Sequence, residues 1–518
     1  MNRKIRQLAV MLMGLYVALF AALNYWAVDR TEELASEPGN TRALIREFDT
    51  PRGQIVTADQ VVVARSTPID DPDSDVKFQR EYPTGDLFAQ TVGYYTFGLG
   101  STQLERSQSD VLTGGTFTQQ VRALEDILST QNDQSGEIRL TLREDMQQVA
   151  KFLLGQRQGS IVLMEVETGA VISMWSWPSY DPNRVADLDY DAAFDYLTEL
   201  QADERDPLLA NAYMQRYMPG STFKILTTGA GLDSGTVSLE TTWPDESEWV
   251  PPQTDDPIQN YGGSVCGGDL AEVFRRSCNI PFAQIAVEMG PDQYQEYVER
   301  WGVGDEVPID LPRAAASTLG DFTDIDQNIP ILAISGFGQA EVQMVPLHMA
   351  MAAGAVANDG EMMAPFVVDA ALDHDGRVIR RTQPDVWKRP ISRQTAETMQ
   401  DLMVQVAESG TASCCIALEG GIPVAAKTGT AQLNGPGEPE RSHAWITAYA
   451  PADDPKYVVA VIIQGTNAEI SASTGGQLAG PVAKAMLDEV FRIDPPVPAG
   501  TNPAGTAPAD DTSAGSQP

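Results

Sequence analysis

Tyr217-Met218-Pro219-Gly220-Ser221-Thr222-Phe223-Lys224-Ile225-Leu226-Thr227-Thr228-Gly229-Ala230 is the stretch on which the fold turns. Pro219-Gly220 interrupts the chain, and the apolar run behind it predicts a helix starting there. Ser221 then falls in the first turn. Backbone N–H groups there lack partners and the dipole is positive, which favours an oxyanion. Lys224, three residues on, shares the face of Ser221. An apolar surround disfavours ammonium and lowers a lysine pKa toward use as a base. A helix cap beside a snorkelling lysine is the competing reading of this segment alone. A second Ser-x-x-Lys, Ser74-Asp75-Val76-Lys77, sits in an acidic loop with no helix signal after it and reads as a chance match.

The remaining chemistry narrows the choice of base. The chain has three histidines. His348 lies in a helical pattern from Pro346 to Ala357, His374 in the turn Asp373–Gly376, and His443 just before a strand starting at Ala444. No Gly-x-Ser-x-Gly elbow accompanies them, so a serine enzyme here would use lysine as its base. Ser277-Cys278-Asn279, the one Ser-x-Asn of the chain, follows a predicted helix Leu270–Arg276. A hydroxyl and an amide two apart can reach one cleft from a turn, the first to relay a proton and the second to hold a peptide carbonyl. Taken alone, a helix cap explains it as well. Lys427-Thr428-Gly429-Thr430 lies on the first of three C-terminal strands, predicted over Ile422–Gln432, Ala444–Ala450 and Tyr457–Gln464. Glycine inside a strand marks close approach of a ligand or a neighbouring backbone, or an ordinary bulge. Lysine and hydroxyls on that edge suit a carboxylate. The three motifs occur in the order Ser-x-x-Lys, Ser-x-Asn, Lys-Thr-Gly, with 56 and 150 residues between their first positions. That set is the signature of serine β-lactamases and penicillin-binding proteins.

Through these motifs the chain resembles the class B penicillin-binding proteins, and specifically the actinobacterial penicillin-binding protein A group. The resemblance covers nearly the whole chain. Arg52-Gly53-Gln54-Ile55, Arg80-Glu81-Tyr82-Pro83 and Gly93-Tyr94 resemble motifs of the N-terminal, non-penicillin-binding domain. Thr168-Gly169 and Pro178-Ser179-Tyr180-Asp181-Pro182-Asn183 resemble the start of the transpeptidase domain. Asn260-Tyr261-Gly262-Gly263 with Cys266 and Ser277-Cys278-Asn279 resemble the actinobacterial group. Gly336-Phe337-Gly338-Gln339 with Pro346 resembles a Gly-Gln-Gly…Pro segment, with Phe337-Gly338 where Gln-Gly is usual.

The resemblance implies an α+β fold: a serine β-lactamase-like transpeptidase domain with a helical subdomain on a five-stranded antiparallel sheet and the active site between them. It implies Ser221 as acylated nucleophile, Lys224 as base, Ser277 as proton relay and Asn279 as the holder of the stem-peptide backbone. Lys427, Thr428, Gly429 and Thr430 would bind the terminal carboxylate, and the N–H groups of Ser221 and Thr430 would form the oxyanion hole. Substrates would be peptidoglycan stem peptides ending in D-Ala-D-Ala on lipid-linked precursor strands, with β-lactams as covalent inhibitors and no metal or cofactor. About 115 residues separate the apolar N-terminus from the transpeptidase domain. A glycosyltransferase domain does not fit there, so a separate membrane glycan polymerase is implied as partner. The rival readings are a D,D-carboxypeptidase, in which water replaces the acceptor amine, and a non-catalytic β-lactam sensor or division scaffold.

Outward from the motifs, 518 residues predict two or three domains. Residues 1–7 are read as cytoplasmic and 8–28 as a signal anchor. Leu8 to Val28 is apolar apart from Gly14 and Asn24, long enough for a bilayer core. Tyr25 and Trp26 would sit at the outer interface, and Arg3, Lys4 and Arg6 inside, which places the catalytic domain outside the cell. A cleaved signal peptide predicts the same destination. Residues 29–145 are read as a small, extended α+β domain with a strand near Gln60–Ala64, a charged break at Asp70–Asp75 and a strand at Glu137–Leu142. Residues 146–494 form the transpeptidase domain, with a helix at Met146–Leu154, strands at Ser160–Val166 and Ala170–Trp175, and a helix-rich middle. Residues 495–518 have nothing to bury and are expected to be disordered. The formal charge of −37 excludes a nucleic-acid partner, which needs clustered lysine and arginine.

There are four cysteines. Outside the membrane Cys266 and Cys278 are expected to form a disulfide closing a short loop, with two buried thiols as the alternative. For neighbours in sequence, Cα atoms about 3.8 Å apart fall below the usual disulfide range, so Cys414 and Cys415 are expected to be thiols.

Overall fold

The structure, a computed structural model, describes residues 3–24, 48–72, 74, 76–120, 135–322, 325, 328–434 and 441–496. A helix spans Arg3–Asn24 and exposes Leu8, Met11, Leu15 and Phe20. Among the described residues no helix is long and apolar enough to cross a membrane. The expected span Leu8 to Val28 falls partly on this helix, and residues 25–28 lie outside the described set. So do residues 497–518 of the expected tail.

A five-stranded antiparallel sheet organises the C-terminal two thirds. Its order is Ala425–Gln432, Ser442–Ala450, Tyr457–Ile463, Gly159–Glu165, Val171–Trp177. Every residue of Tyr457–Ile463 is buried. A half-solvated strand would alternate. This one is apolar throughout because the helix Pro346–Ala357 and the C-terminal helix Gly480–Ile493 both pack on the sheet. All twelve residues of Pro346–Ala357 are buried, which is why that segment is almost wholly apolar rather than striped. His443 lies inside the strand Ser442–Ala450, not ahead of it as its sequence suggested.

The second sheet joins distant parts of the chain. Its order is Val378–Arg381, Val368–Leu372, Glu137–Leu140, Ile55–Val56, Val62–Pro68, Phe78–Glu81. Strands 368–381 therefore complete the N-terminal sheet, so a boundary near residue 145 divides the sequence more cleanly than it divides the space. Gln60, at φ 65°, turns the chain into Val62–Pro68, which begins two residues later than expected.

The N-terminal motifs have structural causes. Glu105 is fully buried and accepts from Arg52 Nε and Arg80 Nε, each at 2.6 Å, and from the Tyr82 hydroxyl at 3.2 Å. Two guanidinium groups on one carboxylate make that buried charge tolerable. Gly53 is pressed against the Gly136 backbone, where a side chain has no room. The Asn183 side chain accepts from Tyr82 N (2.8 Å) and donates to Tyr82 O (2.9 Å), pinning the N-terminal region to the transpeptidase region.

Candidate active site

Ser221 sits in a single 3-10 turn, Gly220–Phe223, that runs directly into the helix Lys224–Asp233. The turn is held from the sheet: Trp445 Nε1 donates to Met218 O at 3.0 Å. Gly220 has φ +53°, and a Cβ there would stand 2.7 Å from Thr430 O. Gly429 meets the same turn from the other side, where a Cβ would lie 2.7 Å from Pro219 O. These two glycines let the strand Ala425–Gln432 approach the serine turn backbone to backbone, the close-approach reading of Lys-Thr-Gly.

Ser277 ends the helix Leu270–Arg276 in a left-handed conformation, φ 61° and ψ 40°, uncommon for a residue with a Cβ. Three devices hold it. Asn260 Oδ1 accepts from the N–H groups of Asn279 (2.8 Å) and Ile280 (3.2 Å). Cys278 forms a disulfide with Cys266, as expected, with Cα atoms 5.8 Å apart. Arg275 Nη1 donates to Ser409 O at 2.8 Å, tying the helix end to the C-terminal residue of the helix Arg393–Ser409.

Lys224 and Lys427 are both fully buried. Lys224 Nζ donates to Ser277 O (2.8 Å), Cys278 O (2.5 Å) and Asn279 Oδ1 (3.0 Å), and lies 3.4 Å from Ser277 Oγ. Lys427 Nζ donates to Ser277 Oγ at 2.8 Å and to Thr428 O at 3.1 Å. Burial, and next the neighbouring charge of Lys427, hold Lys224 well below the ordinary lysine value. Burial alone lowers Lys427 to about 7. A lysine that sheds its proton at neutral pH can act as a base. Sequence spacing had placed Lys224 beside Ser221. In the structure the amine is hydrogen-bonded into the Ser277–Asn279 turn, and no hydrogen bond joins it to Ser221 among the described residues.

The cleft above these lysines measures about 210 Å³. Ser221, Ser277, Asn279, Thr428 and Thr430 line it. Lys224 and Lys427 lie beneath, so the three motifs meet at one place. Ser74 does not join them: its hydroxyl donates to Val76 O at 2.8 Å, within its own loop. His348 is also elsewhere, buried between Ser317 Oγ and Trp301 O at 2.8 Å each. Sequence reasoning missed Thr411, whose hydroxyl is 2.5 Å from that of Thr428, and Thr474, on the cleft wall. Neither carries a local signal, because only folding brings residues 411 and 474 beside 428. Among the described residues no group of histidine, cysteine and carboxylate side chains could hold a metal ion.

The expectation of two thiols at positions 414 and 415 is overturned: Cys414 and Cys415 are joined as a disulfide. Their Cα atoms are 3.8 Å apart, so the spacing argument failed. It applied a range drawn from cysteines distant in sequence to a pair sharing one peptide unit. Here the turn after Gly410, closed by Ser413 N to Gly410 O and Cys415 N to Ala412 O, brings the two side chains together.

The sequence model of the penicillin-binding protein transpeptidase domain matches residues 159–488, well over half of the chain. The chain belongs to the penicillin-binding protein transpeptidases. The model of the penicillin-binding protein A dimerisation domain matches residues 52–138 of this penicillin-binding protein. The peptidoglycan D,D-transpeptidase PbpA of Mycolicibacterium smegmatis is 33% identical over 501 residues, covering 95% of this chain and 99% of the relative. PbpA of Mycobacterium tuberculosis is 31% identical over 506 residues, 96% and 100% of the two chains. Among solved structures, penicillin-binding protein A from M. tuberculosis as its ceftriaxone acyl-enzyme complex superposes with a TM-score of 0.79 at 30% identity, over 86% of this chain and 99% of that one. The penicillin G acyl-enzyme complex of the same protein superposes with a TM-score of 0.77 at 29% identity, over 85% and 100%.

Proposed function

We infer that this penicillin-binding protein is a peptidoglycan D,D-transpeptidase working through an acyl-enzyme on Ser221. The convergence of Ser221, Lys224, Ser277 and Lys427 on one cleft carries the reading. Ser221 Oγ attacks the carbonyl of the penultimate D-Ala and gives its proton to Lys224. The C–N bond to the terminal D-Ala breaks, and Ser277 passes a proton to the departing amine. An amine on a neighbouring stem then attacks the ester, forming the cross-link and returning the proton to Ser221. Asn279 holds the peptide backbone, and Lys427, Thr428, Gly429 and Thr430 form the carboxylate end of the cleft. The N–H groups of Ser221 and Thr430 stabilise the tetrahedral oxyanion. A β-lactam follows the first half of this path and stays bound as the ester.

The division of the chain follows the same reading: residues 1–7 cytoplasmic, 8–28 an anchor, 29–145 the non-penicillin-binding domain, 146–494 the transpeptidase domain and 495–518 a tail. Arg3, Lys4 and Arg6 in the first turns of a helix with exposed apolar side chains support an anchor in the cytoplasmic membrane with the catalytic domain outside. A membrane glycan polymerase would supply the strands to be cross-linked.

Intact-mass analysis with benzylpenicillin tests the assignment. One adduct is expected, mapped to Ser221 and lost in Ser221→Ala. An adduct on Ser74, or none on a folded protein, overturns it.

A further inference from the structure

The cleft is electrostatically unlike the rest of the molecule. The chain carries 72 acidic and 35 basic side chains. Among the described residues that line the cleft there is no carboxylate, and Arg276 is the charged one. Arg276 immediately precedes Ser277, and its side chain is 38% exposed. Its Nη2 donates to Val265 O at 2.8 Å, and its Nη1 is 3.7 Å from Glu272 Oε1. Glu272 is already engaged by Arg275, at 2.5 and 3.1 Å to Oε2. One carboxylate is thus shared by two guanidinium groups, and the pair keeps a net positive charge at the cleft wall. A guanidinium matches a carboxylate with two parallel N–H donors and does not lose its charge with pH.

Resting on the transpeptidase reading, we propose that Arg276 is a specificity-determining residue that binds a second carboxylate of the donor stem, upstream of the D-Ala pair. The site then selects stems in which that carboxylate is free over stems in which it is amidated. On this reading the terminal carboxylate is held at the Lys427–Thr430 end, and Arg276 takes the second anionic group of the same peptide.

Two matched thioester donors test this with the full chain in detergent. Both end in D-Ala-thiolactate. One carries an Nα-acetyl-α-aminoadipyl residue ahead of it, and the other carries the side-chain carboxamide. Thiol release gives kcat/KM for each. The carboxylate donor is expected to be favoured about five- to tenfold, in KM rather than kcat, and less so as salt rises. Arg276→Gln should bring the ratio close to one, and Arg276→Lys should keep part of it. Equal kcat/KM for the two donors in the parent protein overturns the proposal without any variant, as does an unchanged ratio in Arg276→Gln. If neither donor releases thiol and benzylpenicillin leaves no adduct, the transpeptidase reading itself has failed, and the proposal with it.

Discussion

Lys427 Nζ donates to Ser277 Oγ at 2.8 Å, across 150 residues of sequence. That bond leaves the Ser277 hydroxyl proton free to point elsewhere, and Lys224 Nζ stands 3.4 Å from the same oxygen. The two lysines and the serine form a short relay under the cleft. When Lys224 is neutral its lone pair can accept, and Ser277 can carry a proton between the walls. Both amines are buried, so their protonation is set by the protein more than by solvent.

Lys224→Ala should slow β-lactam acylation by about 10²–10⁴-fold, the usual contribution of a positioned proton acceptor. Lys224→Arg should do little better, since a guanidinium does not deprotonate in proteins. Stopped-flow acylation rates check both, and an arginine variant acylating at the parent rate would remove lysine from the role of base.

The acidic limb of the acylation pH profile should follow Lys224, with rate rising as pH rises through its lowered pKa. Burial is the main cause of that lowering and the charge of Lys427 the second. Lys427→Gln removes only the second cause, so the limb should move to higher pH. A limb that stays in place, or moves to lower pH, contradicts the electrostatic coupling.

His348 is buried and neutral, with a pKa lowered from 6.5 to about 4 by burial. Between these values the unfolded chain binds a proton that the folded chain does not, so its contribution to stability is lost as pH falls from 6.5 to 4. His348→Gln should be less stable than the parent at pH 7. On acidification over that window the gap should shrink by on the order of 3 kcal/mol. Urea unfolding of both proteins at pH 7 and pH 4 measures it, and a gap that widens refutes the assignment.

Peptide mapping without reductant should recover Cys266 linked to Cys278 and Cys414 linked to Cys415. Replacing Cys266 and Cys278 together by alanine should lower stability by somewhat less than about 3 kcal/mol, the loop-closure contribution for a short loop. It should also slow acylation, because Cys278 lies between Ser277 and Asn279. Free thiols at 266 and 278 in protein exported from cells would contradict the first pair.

Much of this molecule was legible in its sequence. The helix Leu270–Arg276 and the buried helix Pro346–Ala357 were read with their observed ends, and the C-terminal strands to within three residues, because apolar pattern and breakers are local quantities. Ser221, Ser277, Asn279 and Lys427–Thr430 announced themselves through motifs whose chemistry depends on residue type and order. What only the tertiary structure decided is which groups touch. Strands 368–381 complete an N-terminal sheet, Thr411 meets Thr428, and Lys224 bonds the Ser277–Asn279 turn. The disulfide between Cys414 and Cys415 belongs with these, since a turn rather than a spacing produced it. Each is a contact between surfaces brought together by burial of a shared core. Such burial is non-directional and sums over the whole chain, so no local window of sequence records its outcome.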